Sequence, residues 1–166
     1  MAHETTYYSC ELGTLKISAE NLYITEIMFT KDNSQAEVNV DQVPRLAIMK
    51  TCIEQLNDYF SGNLKEFTFP YQQNGTLFQQ KVWSQLGEIS FGTTISYMEL
   101  SKKLGDAKVI RAAASANGRN TLAIVVPCHR VIGSNGSLVG YAGELWRKQW
   151  LLNHEAHYGR GVQYLF

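Results

Sequence analysis

Cys128 lies in the string Pro127-Cys128-His129-Arg130-Val131, where a thiol adjoins an imidazole and a guanidinium. The thiolate is the nucleophile of cysteine chemistry, and neighbouring cations or proton acceptors raise its population near neutral pH. Cys128 is therefore the reactive candidate among three cysteines. Consecutive side chains diverge in extended structure, so a proton leaving Cys128 for His129 is expected to cross a bridging water. A histidine acting as base needs a carboxylate to orient its ring and stabilise the imidazolium. Glu155, toward the end of a helix through Trp146, Trp150 and Leu151, is the first candidate, and Glu144 competes with it.

The elements that must hold these groups can be traced upstream. Ile124-Val125-Val126 is a continuous apolar run that predicts a buried strand delivering the cysteine. Before it, Phe78, Val82 and Leu86 mark a short helix, Gly87 to Gly92 a loop, and Ser96 caps a helix through Leu100 to Leu104. Gly105 breaks that pattern, and Asp106 caps a second helix, Val109 to Ala116, which ends at Asn117-Gly118. The outline is a helix-turn-helix, although any pair of helices joined by a turn satisfies it. The second helix carries almost only small side chains, with one arginine, Arg111. Such a surface lets a backbone approach a narrow groove closely. Tight core packing is the competing reading, which Arg111 opposes because a buried unpaired guanidinium is costly.

The first half of the chain has a different character. Thr14 to Ser18 and Tyr23 to Ile27 alternate and are rich in β-branched residues, which predicts strands between Thr6 and Phe29. Lys31 to Asp41 reads as a loop, and Leu46, Met49, Cys52, Ile53, Leu56, Tyr59 and Phe60 recur at helical spacing until Ser61-Gly62-Asn63. Cys52 thus faces a core as an inert thiol, and Cys10, beside a strand, receives the same reading. The segment Lys65 to Gly75 contains Pro70 and Asn74-Gly75 and reads as a linker, dividing the chain into domains 1–75 and 76–166. Charge changes sign there. Residues 1–75 hold five Lys/Arg against ten Asp/Glu, about −5, and residues 76–166 hold ten against five, about +5. A basic half suits a polyanion, since each phosphate neutralised releases a counterion; a solvated face with chance sorting of charge is the alternative.

With 166 residues, 45% hydrophobic and 18% charged, the composition is that of one globular domain or two small ones. No stretch approaches the roughly 18 consecutive apolar residues of a membrane span, and Met1 to Thr30 lacks the basic start of a signal peptide. An odd cysteine count at wide spacing argues against a disulfide framework. A reducing compartment is expected, the cytoplasm, or the nucleus in a eukaryote.

The motifs around Cys128 form a longer pattern. Pro127 to Val131 is followed by Ile132-Gly133-Ser134-Asn135-Gly136, Gly140-Tyr141-Ala142-Gly143, and KQWLLNHE from Lys148 to Glu155. Upstream stand Tyr59 to Gly62, Gly75 to Gln79, Val82-Trp83, Gly92 to Tyr97 and Arg111-Ala112. Over about residues 56–155 the chain resembles the O6-alkylguanine-DNA alkyltransferases, the methylated-DNA–protein-cysteine methyltransferases. The resemblance implies an α+β protein: an N-terminal RNase H-like β-sheet domain with a helix across it, then a mostly helical domain with a helix-turn-helix. It implies a monomer, without cofactor or membrane, that binds duplex DNA through the minor groove and rotates O6-alkylguanine into a pocket. The alkyl group then moves irreversibly to Cys128, one per chain, with O4-alkylthymine a further candidate substrate. Extrusion is physically required, because a group inside a stacked helix cannot be reached otherwise.

By the same resemblance, His129 activates Cys128 through a water and is held by Glu155, Asn120 buttresses the active-site turn, and Tyr97 donates a proton toward guanine N3. Tyr141 and the backbone of Val131 and Ala142 hold the base, and Gly143 leaves room for the substituent. Arg111 fills the hole left in the duplex, with Ala112, Ala113 and Ser115 beside it on the DNA. Three positions depart from the common pattern: Thr121 for proline, Ser90-Phe91 for proline-tyrosine, and Glu144 for a second glycine. These bear on the rigidity of the turn and the size of alkyl group accepted. His3 and Cys10 are too few for the structural zinc of some family members, so no metal is expected. Two rivals remain: a lesion-binding protein without transfer, whose relatives lack the cysteine, and a Cys-His hydrolase, which would turn over.

Overall fold

The computed structural model describes residues 2–31 and 43–160, and the loop expected over 31–41 lies, apart from Lys31, outside them. The chain divides into two compact units between Gln73 and Asn74. In the first, β1 (His3–Cys10), β2 (Gly13–Glu20) and β3 (Tyr23–Phe29) form an antiparallel sheet in the order β1-β2-β3. Two-residue connections join the strands, with Gly13 and Asn21 in left-handed conformations (φ 109° and 52°) that these residue types tolerate.

Leu15, Ile17 and Ala19 of β2 are fully buried, as are Ile24 and Ile27 of β3. Positions 24 and 27 differ by an odd number, so strict alternation would place them on opposite faces. A register shift between Ser18 and Ala19 resolves this: Ile17 pairs with Ile27, but Ala19 pairs with Ile24, leaving Thr25 as the extra residue. The Thr25 hydroxyl donates to Ser18 O at 3.3 Å. Helix α1 (Ala47–Phe60) packs Met49, Cys52, Leu56 and Tyr59 against the strands. Its N-cap, Leu46, has no capping side chain. The Glu4 carboxylate of β1 substitutes, accepting from Arg45 N (2.8 Å) and Leu46 N (2.9 Å), two donors left over at a helix start.

The second unit is mostly helical: α2 (Leu77–Gly87), α3 (Tyr97–Lys103), α4 (Ile110–Gly118) and α5 (Leu145–Arg160), with a short parallel pair β4 (Ile95–Ser96) and β5 (Val131–Ile132). Capping boxes start α2 (Thr76 with Gln79) and α3 (Ser96 with Glu99). Asp106 caps a 3-10 turn, Ala107–Val109, that leads into α4. The strand expected at Ile124-Val125-Val126 is absent. Those residues are buried in a turn, with Val126 N donating to Leu122 O and Val125 N to Ala123 O. An apolar run reports burial, and here side-chain hydrogen bonds replace a sheet partner.

Candidate active site

Cys128 opens a 3-10 turn, Cys128–Arg130, so the cysteine and histidine are not in extended structure. His129 and Glu155 are completely buried, and the His129 Nε2 lies 2.8 Å from Glu155 Oε1. An ionised carboxylate only accepts, so Nε2 carries the hydrogen and Nδ1 keeps its lone pair. Nδ1 has no partner within the protein. Glu144, the competing carboxylate, is exposed and accepts instead from Trp146 Nε1 at 2.8 Å.

Arg130 is the group that the sequence reading missed. Its Nε donates to both oxygens of Glu155 (3.1 and 2.9 Å), Nη2 to Oε1 (2.6 Å) and Nη1 to Ile89 O (2.6 Å). Phe91 stacks beside it, 5.8 Å from ring centroid to guanidinium. The signal was available, since a buried guanidinium beside a buried imidazole requires a carboxylate. Burial pushes the Glu155 carboxyl up, but His129 and Arg130 outweigh it and hold it well below the usual carboxylate range. Burial also lowers His129, against the pull of Glu155, which favours the neutral imidazole. Gly92 permits this packing: its φ is +76° and an added Cβ would meet Glu155 O at 3.1 Å.

Cys128 is 6% exposed, and burial raises its thiol above the ordinary value, opposed by a hydrogen bond from Asn120 and by the charge of Lys148. The resting group is a thiol that ionises when its proton is drawn away. Asn120 holds the preceding turn: Nδ2 donates to Val126 O (2.8 Å) and Leu122 O (3.3 Å), and Oδ1 accepts from Leu122 N (3.1 Å). Within that turn Ile124 has φ 72°, an unfavourable conformation for a β-branched residue, retained beside the nucleophile.

A cavity of about 430 Å³ lies against α4, lined by Tyr97, Ala114, Asn117, Tyr141 and Ala142 among others. That volume falls within the roughly 300–1,000 Å³ of small-molecule sites. Cys128, Val131 and Gly143 are not in its lining, but both tyrosines of the lining interact electrostatically with Cys128. Burial raises the Tyr97 hydroxyl and places that of Tyr141 well above its ordinary value. Val131 is tied to the cavity wall through Lys148, whose fully buried ammonium donates to Val131 O (2.5 Å), Val139 O (2.9 Å) and Gly140 O (3.3 Å). Burial lowers Lys148 to about 8. Lys148, Leu151 and Glu155 share one face of α5 at three- and four-residue steps, the spacing that could have identified Lys148. Gly143 is buried, and its carbonyl accepts from Arg147 Nη1 at 3.1 Å.

Arg111, Ala112 and Ser115 are exposed on α4. Ala113 is a correction: it is fully buried, 0% exposed, and cannot present itself to DNA. A helix of small residues has little polarity contrast, so the sequence did not reveal which alanines face inward. Ala113, Ala116 and Asn117 form the inner face, and Trp83 Nε1 donates to Ala116 O at 2.9 Å. Lys102 and Lys103 at the end of α3, Lys108 in the connection and Arg119 just after α4 are exposed as well, four cations besides Arg111. Among the described residues no group of His, Cys, Asp and Glu could hold a metal ion, and no helix is long and apolar enough to cross a membrane.

Comparison with known proteins agrees across the chain. Residues 77–157 match the family described as 6-O-methylguanine DNA methyltransferase, DNA binding domain, and residues 4–73 match its ribonuclease-like domain. A methylated-DNA–protein-cysteine methyltransferase of Methanosarcina acetivorans is 38% identical over 148 residues, covering 89% of this chain and 95% of the relative. The crystal structure of Mycobacterium tuberculosis O6-methylguanine methyltransferase superposes with a TM-score of 0.82 at 34% identity, over 97% of each chain. The Mycobacterium tuberculosis OGT structure in complex with DNA gives 0.82 at 36% identity over 93% of each.

Proposed function

The chain belongs to the 6-O-methylguanine DNA methyltransferase family, and on that premise we propose that Cys128 is the acceptor in an irreversible, single-turnover transfer from an everted base. Its activity is that of a methylated-DNA–protein-cysteine methyltransferase, repairing O6-methylguanine in DNA. The observation that carries the assignment to Cys128 is the adjoining His129, neutral, with Nε2 on Glu155 and an unbonded Nδ1 lone pair. The thiol proton passes to Nδ1 through a water. The sulfur attacks the alkyl carbon, the S–C bond forms as the C–O6 bond breaks, and the electron pair returns to the base. Tyr97 supplies a proton at guanine N3, and the proton held by His129 restores it. The sum is a thiol and O6-alkylguanine giving a thioether and guanine.

Arg130 neutralises Glu155 on its other side, so the cluster is balanced while His129 is neutral, and the imidazolium formed during transfer is offset by the thiolate formed with it. Duplex DNA lies along the exposed face of α4, where Arg111 enters the space left by the base and the surrounding cations contact phosphates. Ala112 and Ser115 allow close approach through the minor groove, and Tyr141 and Ala142 flank the base. The test is intact-mass analysis after incubation with O6-methylguanine duplex DNA, followed by peptide mapping. One added methyl per chain on Cys128 is expected, and Cys128→Ala should bind DNA without accepting it. Methyl remaining on the DNA, or repeated turnover by one chain, would overturn the reading.

A further inference from the structure

Two polar side chains of the cavity keep a buried atom unbonded within the protein, Asn117 through Oδ1 and Tyr141 through its hydroxyl. For Asn117 the amide orientation follows from its neighbours. Cys128 O is a carbonyl and can only accept, so the amide atom facing it at 3.4 Å is Nδ2. The same Nδ2 faces the Tyr97 hydroxyl at 3.3 Å. An amide nitrogen has no lone pair to offer, so the tyrosine oxygen receives that bond and its own hydrogen is left for another acceptor. Val139 O, 3.5 Å away, competes weakly for it, since O–H···O bonds ordinarily span about 2.5–3.0 Å.

We propose that Asn117 is a positioning residue that holds the Tyr97 oxygen from behind, so that its proton points to the ring nitrogen of the everted base. The inference rests on the alkyl-transfer reading above. Asn117 sits at the inner end of α4, 3% exposed, one turn beyond Ala114 on the same cavity wall. A side chain selected for packing alone would be apolar there, because a buried carbonyl without a partner is unfavourable. The cost is retained where the amide bridges the proposed proton donor and the backbone of the proposed nucleophile. Its bond to Tyr97 also opposes the rise that burial imposes on the phenol, making the hydroxyl a better acid.

The experiment is single-turnover methyl transfer by the full chain from duplex DNA carrying O6-methylguanine or its 3-deaza counterpart, in which ring N3 is a C–H. Four proteins are compared: unsubstituted, Asn117→Leu, Tyr97→Phe and the double variant. Asn117→Leu should slow transfer about tenfold on O6-methylguanine, yet by no more than about twofold when Tyr97 is already Phe or the base is 3-deaza. DNA affinity should be unchanged. Asn117→Asp, which keeps the shape but accepts the Tyr97 hydrogen and turns it from the base, should be slowed at least as much. It carries the same cycle if the Leu variant does not fold. Multiplying effects in the double variant, or equal slowing on both bases, would overturn the role of Asn117 while transfer by the unsubstituted protein stands. No transfer by the unsubstituted protein would remove the underlying reading as well.

Discussion

Glu155 is the residue on which the site converges. One buried carboxylate accepts from His129 and from two nitrogens of Arg130, so removing its charge leaves a guanidinium unpaired in the interior. Glu155→Gln should therefore destabilise the protein by about 3–5 kcal/mol, read from urea unfolding, and nearly abolish transfer. The same cluster sets a pH dependence. Glu155 titrates in the folded state well below its unfolded value of about 4.3, so its stabilisation is complete above that pH and declines as pH falls toward the folded value. His129 is lowered on folding, so below about 6.5 the unfolded chain takes up a proton that the folded site refuses. Both act in one direction: unfolding free energy should fall from pH 7 to pH 4, and a flat profile would contradict the geometry. Glu144 presents a simpler case. Its φ of 76° is left-handed, at the position where the family pattern has glycine. Glu144→Gly should relieve that strain and raise stability by up to about 1 kcal/mol, offset in part by glycine's extra freedom when unfolded.

At the scale of elements, α4 has two faces that its composition conceals. Ala113 is sealed inside, while Ala112, its neighbour, is exposed. Ala113→Leu should overpack the helix contact and cost about 1–3 kcal/mol of stability. Ala112→Leu should leave the unfolding free energy within about 0.5 kcal/mol and instead weaken binding to duplex DNA, measured by fluorescence anisotropy. Equal effects of the two on stability would show that α4 does not present the face assigned to it. The turn ahead of Cys128 is likewise held by contacts that periodicity cannot encode. Asn120 supplies three hydrogen bonds to it, and Ile124 accepts a strained conformation within it.

For the whole molecule, the units differ in charge as they do in fold. The sheet unit carries the acidic excess, and the helical unit carries the basic one together with every residue of the proposed chemistry. Nucleophile and base are buried, so the product of the reaction is an added methyl in a packed environment. Cys128 has only 6% of its surface exposed, and its alkylation should lower stability by about 1–3 kcal/mol through overpacking. Calorimetry before and after complete transfer should record a lower Tm for the alkylated chain, and an unchanged Tm would indicate that the site holds spare space at sulfur.

The sequence by itself determined the order of sheet then helices, the capped start of α3, the buried stripe of α1 and the family motif around Cys128. Each is written in neighbouring residues, through periodicity, capping chemistry or a contiguous string. Tertiary structure alone decided that Arg130 and Glu155 pair across 25 positions, that Lys148 joins Val131 to the 139–140 segment, that Ala113 turns inward, and that Ile124 to Val126 form a turn. These depend on which distant groups meet in a low-dielectric interior. There a buried polar atom must find its partner wherever the fold brings one, and sequence spacing carries no record of that encounter.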